Sequence, residues 1–173
     1  MRESPTREGA SGAPATNWTQ VAVAVLTLAL GTLVYVLDRP AGSVPFFSAI
    51  HIAEGWPAVF GRIGDSLPTF VHAFAFSLLT AAWLGGGRRF ALAACLTWFG
   101  VDSAFEAGQH PRFAQGLAER VPGWFDAVPI LDRADRYFLR GTFDVTDLVS
   151  IALGAAAAYL LIRCTAPKEE SHG

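Results

Sequence analysis

Charge is scarce in this chain and unevenly spread. Asp, Glu, Lys and Arg make up 16% of its 173 residues, against about 25% in a typical soluble domain. The formal net charge is −2. No excess of cations is available to neutralise a phosphate backbone, which argues against nucleic acid as a partner. Cysteine is almost missing. Cys95 and Cys164 stand in separate apolar runs, with no CxxC or His/Cys spacing. Both are expected to be small buried apolar residues, a disulfide between them being the alternative. No Gly-x-Ser-x-Gly, His-Glu-x-x-His, Walker or dinucleotide-binding motif occurs, so none of those chemistries has a local sequence signature here.

Apolar residues fill the space that charge leaves. They make up 52% of the chain, and the mean hydropathy is +0.36. They fall in long runs. Residues 18–37 contain no Asp, Glu, Lys or Arg, enough to cross about 30 Å of hydrocarbon at 1.5 Å per residue. A cleavable leader would have an apolar core of only about 7–15 residues, so a retained span is expected. The second span is 67–84, closed by Gly85-Gly86-Gly87-Arg88-Arg89. The third is 90–109, apolar to Val101 and then polar on one side. The fourth is 145–162, with Asp147 as its internal charge and Arg163 and Lys168 behind it. Residues 1–17 read as a flexible polar tail and 164–173 as a second one, with one membrane domain over 18–163.

The fold expected is therefore all-α: an integral membrane bundle of four transmembrane helices with interfacial extracytoplasmic loops. Short loops rich in Lys and Arg stay cytoplasmic. Arg88 and Arg89 in the turn after the second span thus put both termini inside. The connections 38–66 and 110–143 then lie outside. Phe46, Phe47, Ile50, Ile52, Trp56 and Phe60 in the first suit the membrane interface. So do Trp124, Phe125, Ile130, Leu131, Tyr137, Phe138 and Leu139 in the second. They form either an anchoring aromatic belt or a lid over a site. Residues 132–136 (Asp-Arg-Ala-Asp-Arg) read as a solvated face with local ion pairs.

Four polar residues interrupt the spans: His72, Glu106, Gln109 and Asp147. An ionisable group at the bilayer centre costs roughly 2.5–3.5 kcal/mol on insertion scales, so such groups persist where they pair, meet water or do chemistry. Helical rise from the cytoplasmic ends places His72 and Asp102 about 18 Å up, Ser150 about 20 Å, and Glu106 and Asp147 about 24 Å. Asp102, Glu106 and Gln109 share one stripe at i, i+4, i+7, and Asp144, Asp147 and Ser150 share a face of the fourth helix. Ser150, Gly154 and Ala158 form a small-xxx-small series that lets a neighbouring helix come close.

A His among carboxylates is the composition of a general acid–base centre. His72 would be held by Glu106 or Asp147 and move a proton, with Asp102, Gln109, Arg140 and Asp144 as binding positions. No cofactor is expected. The carboxylates have oxygen-ligand chemistry for a hard divalent cation, while zinc usually takes more His or Cys than this set offers. Ser103 lacks a supporting motif, and His51, His110 and His172 read as loop or tail residues. The competing interpretation is that the same polar groups lock the helices together, Gln109 and Asp144 capping helix ends.

Three pieces of sequence then fall in a familiar order. His72 lies early in the second span (LPTFVHAFAFSLLTAAWL), Glu106-x-x-Gln109 ends the third, and Arg140-x-x-x-Asp144-x-x-Asp147 leads into Gly154. In this order the chain resembles the VanZ-like family of small bacterial membrane proteins over about residues 67–161. It departs from the family pattern at Pro68, where an Asp is common, at Ile151 in place of Asn, and at Ala158 in place of Gly. The resemblance implies a multi-pass bacterial cell-membrane protein. The family's founder is associated with low-level resistance to the glycopeptide teicoplanin, an acylated antibiotic acting outside the membrane. The expected function is to bind or modify an envelope lipid or lipid-like molecule at an outward-facing site, Arg140 either meeting an anionic headgroup or pairing with Asp144. The rival expectation is a non-enzymatic scaffold or partner subunit. A solute carrier, working as a homodimer, is a third.

Overall fold

The computed structural model describes residues 16–38, 57–85, 87–128 and 134–166. They are predominantly helical, with no strand among them. Helix α1 spans Trp18–Asp38, α2 Gly61–Leu84, α3 Arg88–Gly108 and α6 Val145–Thr165. These four are long and apolar enough to cross a membrane. Between α3 and α6 lie α4 (Pro111–Ala118), a 3₁₀ turn (Gly123–Ala127) and α5 (Ala134–Arg140).

Helix α2 is the hub, with α1, α3 and α6 all packed on it. Its buried positions include Val71, Ala73, Ala75, Leu78 and Ala82. At about 100° per residue these point to several sides, as a central helix requires. Residue size is sorted from inside to outside. The interior is built from Ala24, Ala73, Ala75, Ala82, Ala91, Ala94, Ala155 and Ala158, with few large residues. The exterior carries Leu26, Leu33, Trp83, Phe90, Leu96, Leu153 and Leu160, all more than two-fifths exposed. In water that surface would be an aggregation hazard. In lipid, where exposure of Leu costs nothing and association depends on close packing, small residues belong at the interface. Gly154 lets α6 come close to the backbone of α2: a Cβ there would stand 2.5 Å from the carbonyl oxygen of Phe70 and 3.3 Å from the Ala73 Cβ. A Cβ on Gly31 of α1 would meet Val71 Cγ1 at 2.9 Å.

The helix ends differ from the expected boundaries. α2 begins at Gly61, six residues ahead of Leu67, because α1 caps it. The Asp38 carboxylate accepts the Val59 and Phe60 N–H groups, each at 2.7 Å. Gly61 enters the helix with φ of 53°, and Gly64 lets the end of α1 come close, since a Cβ there would lie 3.1 Å from Asp38 Oδ2. Pro68 lies inside α2, where it withholds the N–H that the Gly64 carbonyl would otherwise receive. α6 runs on to Thr165, so Arg163 and Cys164 are helical. Cys95 is buried and Cys164 is exposed; both are free. Burial was expected for both, but Cys164 falls on the outward side of the last turn of α6.

At that end of the bundle the start of α1 is tied to the end of α6. Asn17 Nδ2 donates to the Thr165 carbonyl and Gln20 Nε2 to Thr165 Oγ1, both at 2.9 Å. The helices alternate in direction, so the opposite end gathers the end of α1, the starts of α2 and α6, the end of α3, and the α4–α5 segment. Of the interfacial aromatics expected there, residues 46–56 and 130–131 lie outside the described residues, as do His51, Asp132, Arg133 and His172.

Candidate functional site

The inner face of α3 turns acidic toward its C-terminal end. Ala91, Ala94 and Cys95 are buried, and the stripe continues two and three turns past Cys95 in Asp102 and Glu106, also buried. Asp102 is 9% and Glu106 4% exposed. His72 on α2 meets this stripe, its Nδ1 lying 2.8 Å from Asp102 Oδ1. The partner of His72 is thus Asp102, and not Glu106 or Asp147 as the sequence led us to expect. Equal height decides it: helical rise puts His72 and Asp102 in one layer and the other two about a turn further out.

The imidazole is held on its other sides by aromatic rings. Phe76, one turn along α2, has its ring centroid 4.4 Å away, and Trp98, one turn before Asp102, stands edge-on at 5.7 Å. Trp98 is fixed in turn, its Nε1–H donating to Thr80 Oγ1 at 2.8 Å. The side chain of His72 remains 46% exposed. Asp102 has a second oxygen, Oδ2, that is buried and has no hydrogen-bond partner among the described residues; the hydroxyl of Ser103 is in the same condition.

Glu106 does something different. Its Oε1 accepts the backbone N–H of Asp144 at 2.7 Å, pinning the start of α6 to the end of α3. Asp144 is the N-cap of α6, its Oδ1 accepting the Thr146 N–H at 2.8 Å, so the expectation of a capping role holds for it. Asp147 sits in the first turn of α6, where a carboxylate is favoured by the helix dipole. Its Oδ1 is 3.4 Å from Thr69 Oγ1, but that hydroxyl has a single proton and already donates to the Ser66 carbonyl at 2.7 Å. Gln109 falls just past the end of α3. Its Nε2 donates to the Tyr137 hydroxyl at 2.7 Å, which joins α5 to α3. Gly141 stands beside it, where a Cβ would displace the Gln109 side chain. Arg140 is exposed at the end of α5, and no ion pair joins it to Asp144. His110 caps α4, its Nδ1 accepting the Arg112 N–H at 3.2 Å.

A cavity of about 540 Å³ opens beside the His72–Asp102 pair. Leu28, Gly31, Thr32 and Tyr35 of α1 form one wall. Asp102, Phe105 and Glu106 of α3 form the other. Pro68, Thr69, Val71 and His72 of α2 lie between them, and Tyr137 and Ile151 complete the lining. Tyr137 contributes a phenol whose pKa is pushed above its ordinary value, chiefly by desolvation, the hydrogen bond from Gln109 acting the other way. Of the seven residues singled out from the sequence, His72, Asp102 and Glu106 line this cavity. Asp147 approaches its edge through Thr69, and Gln109 does so through Tyr137. Asp144 serves a helix cap and Arg140 stands apart. Trp98, Phe76 and Tyr35 were not anticipated, and Tyr137 was expected only as one of the aromatics of an anchoring belt or lid. Two of them had a signal: Trp98 is four residues before Asp102 and Phe76 four after His72, one helical turn each.

Among the described residues, no group of three or more His, Cys, Asp or Glu side chains is gathered closely enough to hold a metal ion. The chemistry available is proton transfer. With Asp102 ionised, its oxygen can only accept, so Nδ1 carries the hydrogen and the neutral imidazole presents the lone pair of Nε2. Comparison of the chain with protein-family models, with curated proteins and with solved structures gave no match.

Proposed function

We propose that this is a multi-pass protein of a bacterial cell membrane, of VanZ-like type, that binds or modifies an envelope lipid or lipid-like molecule. The observation that carries this reading is the His72–Asp102 pair on the wall of a largely apolar cavity flanked by α1 and α3, two membrane-length helices. Such a cavity matches an amphiphile: apolar lining for chains, a few convergent polar groups for a headgroup. For a reaction, Nε2 of His72 would take the proton of a headgroup hydroxyl or of water. Asp102 would stabilise the imidazolium so formed and hold the ring in its tautomer. Glu106 lines the same cavity, and Asp147 lies one step behind Thr69.

The orientation we propose has both termini cytoplasmic and the cavity in the outer half of the membrane. Arg88 and Arg89 support it. They occupy the first turn of α3, where cations oppose the helix dipole, so their placement serves something other than helix stability. Retention of a short basic turn on the cytoplasmic side supplies that reason.

The test is complementation of a deletion strain, read as envelope lipid composition and teicoplanin sensitivity, with protein abundance measured in parallel. Wild type restores the phenotype; His72→Ala and Asp102→Asn, present at normal abundance, do not. Full restoration by both variants would sink the reading.

A second reading, a scaffold or partner subunit, is favoured by the Glu106–Asp144 tie and by the tight seat of Gly154 on α2, both of which serve assembly. It predicts a stoichiometric membrane-protein partner on purification, and variants of the polar residues that change abundance alone.

A further inference from the structure

The far side of α3 carries a groove of its own, with a volume of about 410 Å³. Ala104, Ala107 and Gly108 form its α3 wall, Phe113 and Leu117 of α4 face them, and Arg112 and Arg120 supply its charge. At about 100° per residue those α3 positions lie opposite Asp102, Phe105 and Glu106. The groove is therefore separate from the His72 cavity.

Its depth is set by the length of α3. The 21 residues of that helix measure about 30 Å by helical rise, the thickness of the hydrocarbon layer. With Arg88 and Arg89 at one water boundary, the end of α3 and the whole of α4 reach the other. Phospholipid phosphates occupy that level. Helix α4 is built for it: Phe113 and Leu117 stay 53% and 38% exposed, while Arg112, Gln115 and Glu119 make its polar side, the pattern of a helix lying in the interface.

The two guanidinium groups are brought together by the backbone. Arg120 follows α4, and its N–H still donates to the Leu117 carbonyl at 3.0 Å, so the chain keeps turning. Its Nη1 donates to the Gly116 carbonyl at 2.7 Å. That bond folds the side chain back toward Arg112, which lies one helical turn before Gly116. Gly116 leaves the space for it, since a Cβ there would already lie 3.1 Å from the same Nη1. Glu119, next to Arg120 in the chain, accepts from Gln115 Nε2 at 3.1 Å. The planar donors of arginine match phosphate oxygens, and a basic pocket between helices at the membrane surface suits an anionic headgroup.

We propose that this groove is a second lipid site, holding an anionic phospholipid with its phosphate between Arg112 and Arg120. One acyl chain lies against Ala104 and Ala107, where small side chains leave room for it, beside Phe113 and Leu117. The proposal stands independently of the reading of the His72 cavity.

The experiment uses the full chain purified in a non-ionic detergent. It is titrated with dioleoylphosphatidylglycerol or dioleoylphosphatidylcholine, which share their acyl chains and phosphate and differ in net charge. Native mass spectrometry reads both bound lipid and oligomeric state. Phosphatidylglycerol should bind at least about tenfold more tightly than phosphatidylcholine, and Arg112→Gln and Arg120→Gln should each weaken it about fivefold, the scale of one cation beside an anionic lipid. Arg88→Gln, at the opposite end of α3, should leave that affinity unchanged. Ala104→Leu, which fills the groove, should weaken both lipids. Both arginines are exposed, so their variants fold, and melting temperatures without lipid check this. Equal binding of the two lipids overturns the proposal. So does phosphatidylglycerol binding that is undiminished in the double arginine variant or lost in Arg88→Gln alone. A dimer that Ala104→Leu dissociates, with lipid affinity unchanged, would assign the groove to a second copy of the chain and overturn it as well.

Discussion

The backbone N–H of Asp144 donates to Glu106 of α3, although Asp147 occupies the third position of α6, from which a carboxylate commonly reaches back to the N-cap amide. A partner from another helix has taken the local acceptor's place. The consequence is twofold. The start of α6 is fixed to the end of α3, and the Asp147 carboxylate is left beside Thr69 near the cavity.

That bond predicts unequal effects at one position. Glu106→Gln retains an acceptor for the Asp144 N–H and should cost under about 1 kcal/mol. Glu106→Ala leaves the donor unpaired and should cost about 1–3 kcal/mol. Melting temperatures of the two variants in detergent, side by side, would show the difference. Equal loss in both would mean that the Asp144 amide is satisfied by water.

The His72–Asp102 contact predicts a tautomer. Nitrogen-15 NMR of histidine-labelled protein should find the neutral His72 ring protonated at Nδ1 in the wild type. Asp102→Ala should release the ring toward the Nε2-protonated form. An unchanged spectrum would show that Asp102 does not orient the ring.

Gly154 has no room for a side chain. Gly154→Ala forces a Cβ against the Phe70 carbonyl and should destabilise by about 1–3 kcal/mol, with Gly154→Leu failing to assemble. Leu153→Ala, one residue away on the exposed side, should change stability little in detergent. Thermal unfolding of the three, measured together, separates close packing from general sensitivity of α6.

The proposed topology predicts protection of the Arg88 turn. A single Cys at Arg88, in a background without Cys95 and Cys164, should resist impermeant thiol reagents in intact cells, whereas a Cys at Trp124 should react. The reverse pattern would invert the protein and move the cavity to the cytoplasmic half.

Tyr137 gives a pH dependence with a defined sign. Its folded pKa is raised, so above about pH 10, the ordinary tyrosine value, the unfolded chain loses the phenol proton first. The contribution of this residue is therefore full below that pH and is lost as pH rises through the folded value. Tyr137→Phe should flatten the alkaline decline in stability, and a spectroscopic phenolate titration should lose its latest-titrating component.

Much of the architecture was legible in the sequence because hydrocarbon-length apolar runs are a one-dimensional signal. The number of long helices, their approximate ends and the small-residue face at Gly154 follow from length, composition and the helical period. Equal heights of His72 and Asp102 follow from the rise per residue. Boundaries failed where a distant group acts. The start of α2 at Gly61 depends on the Asp38 carboxylate of α1, and no periodicity within 61–66 reports that. The partner of His72 could be read from those heights, but that the two side chains face each other depends on how α2 and α3 rotate against each other. The cavity and the orphaned Asp102 oxygen are properties of helices packed together. They were decided only in three dimensions, because a side chain's burial and partners depend on which helix faces it, whereas its place along its own helix is fixed by the sequence alone.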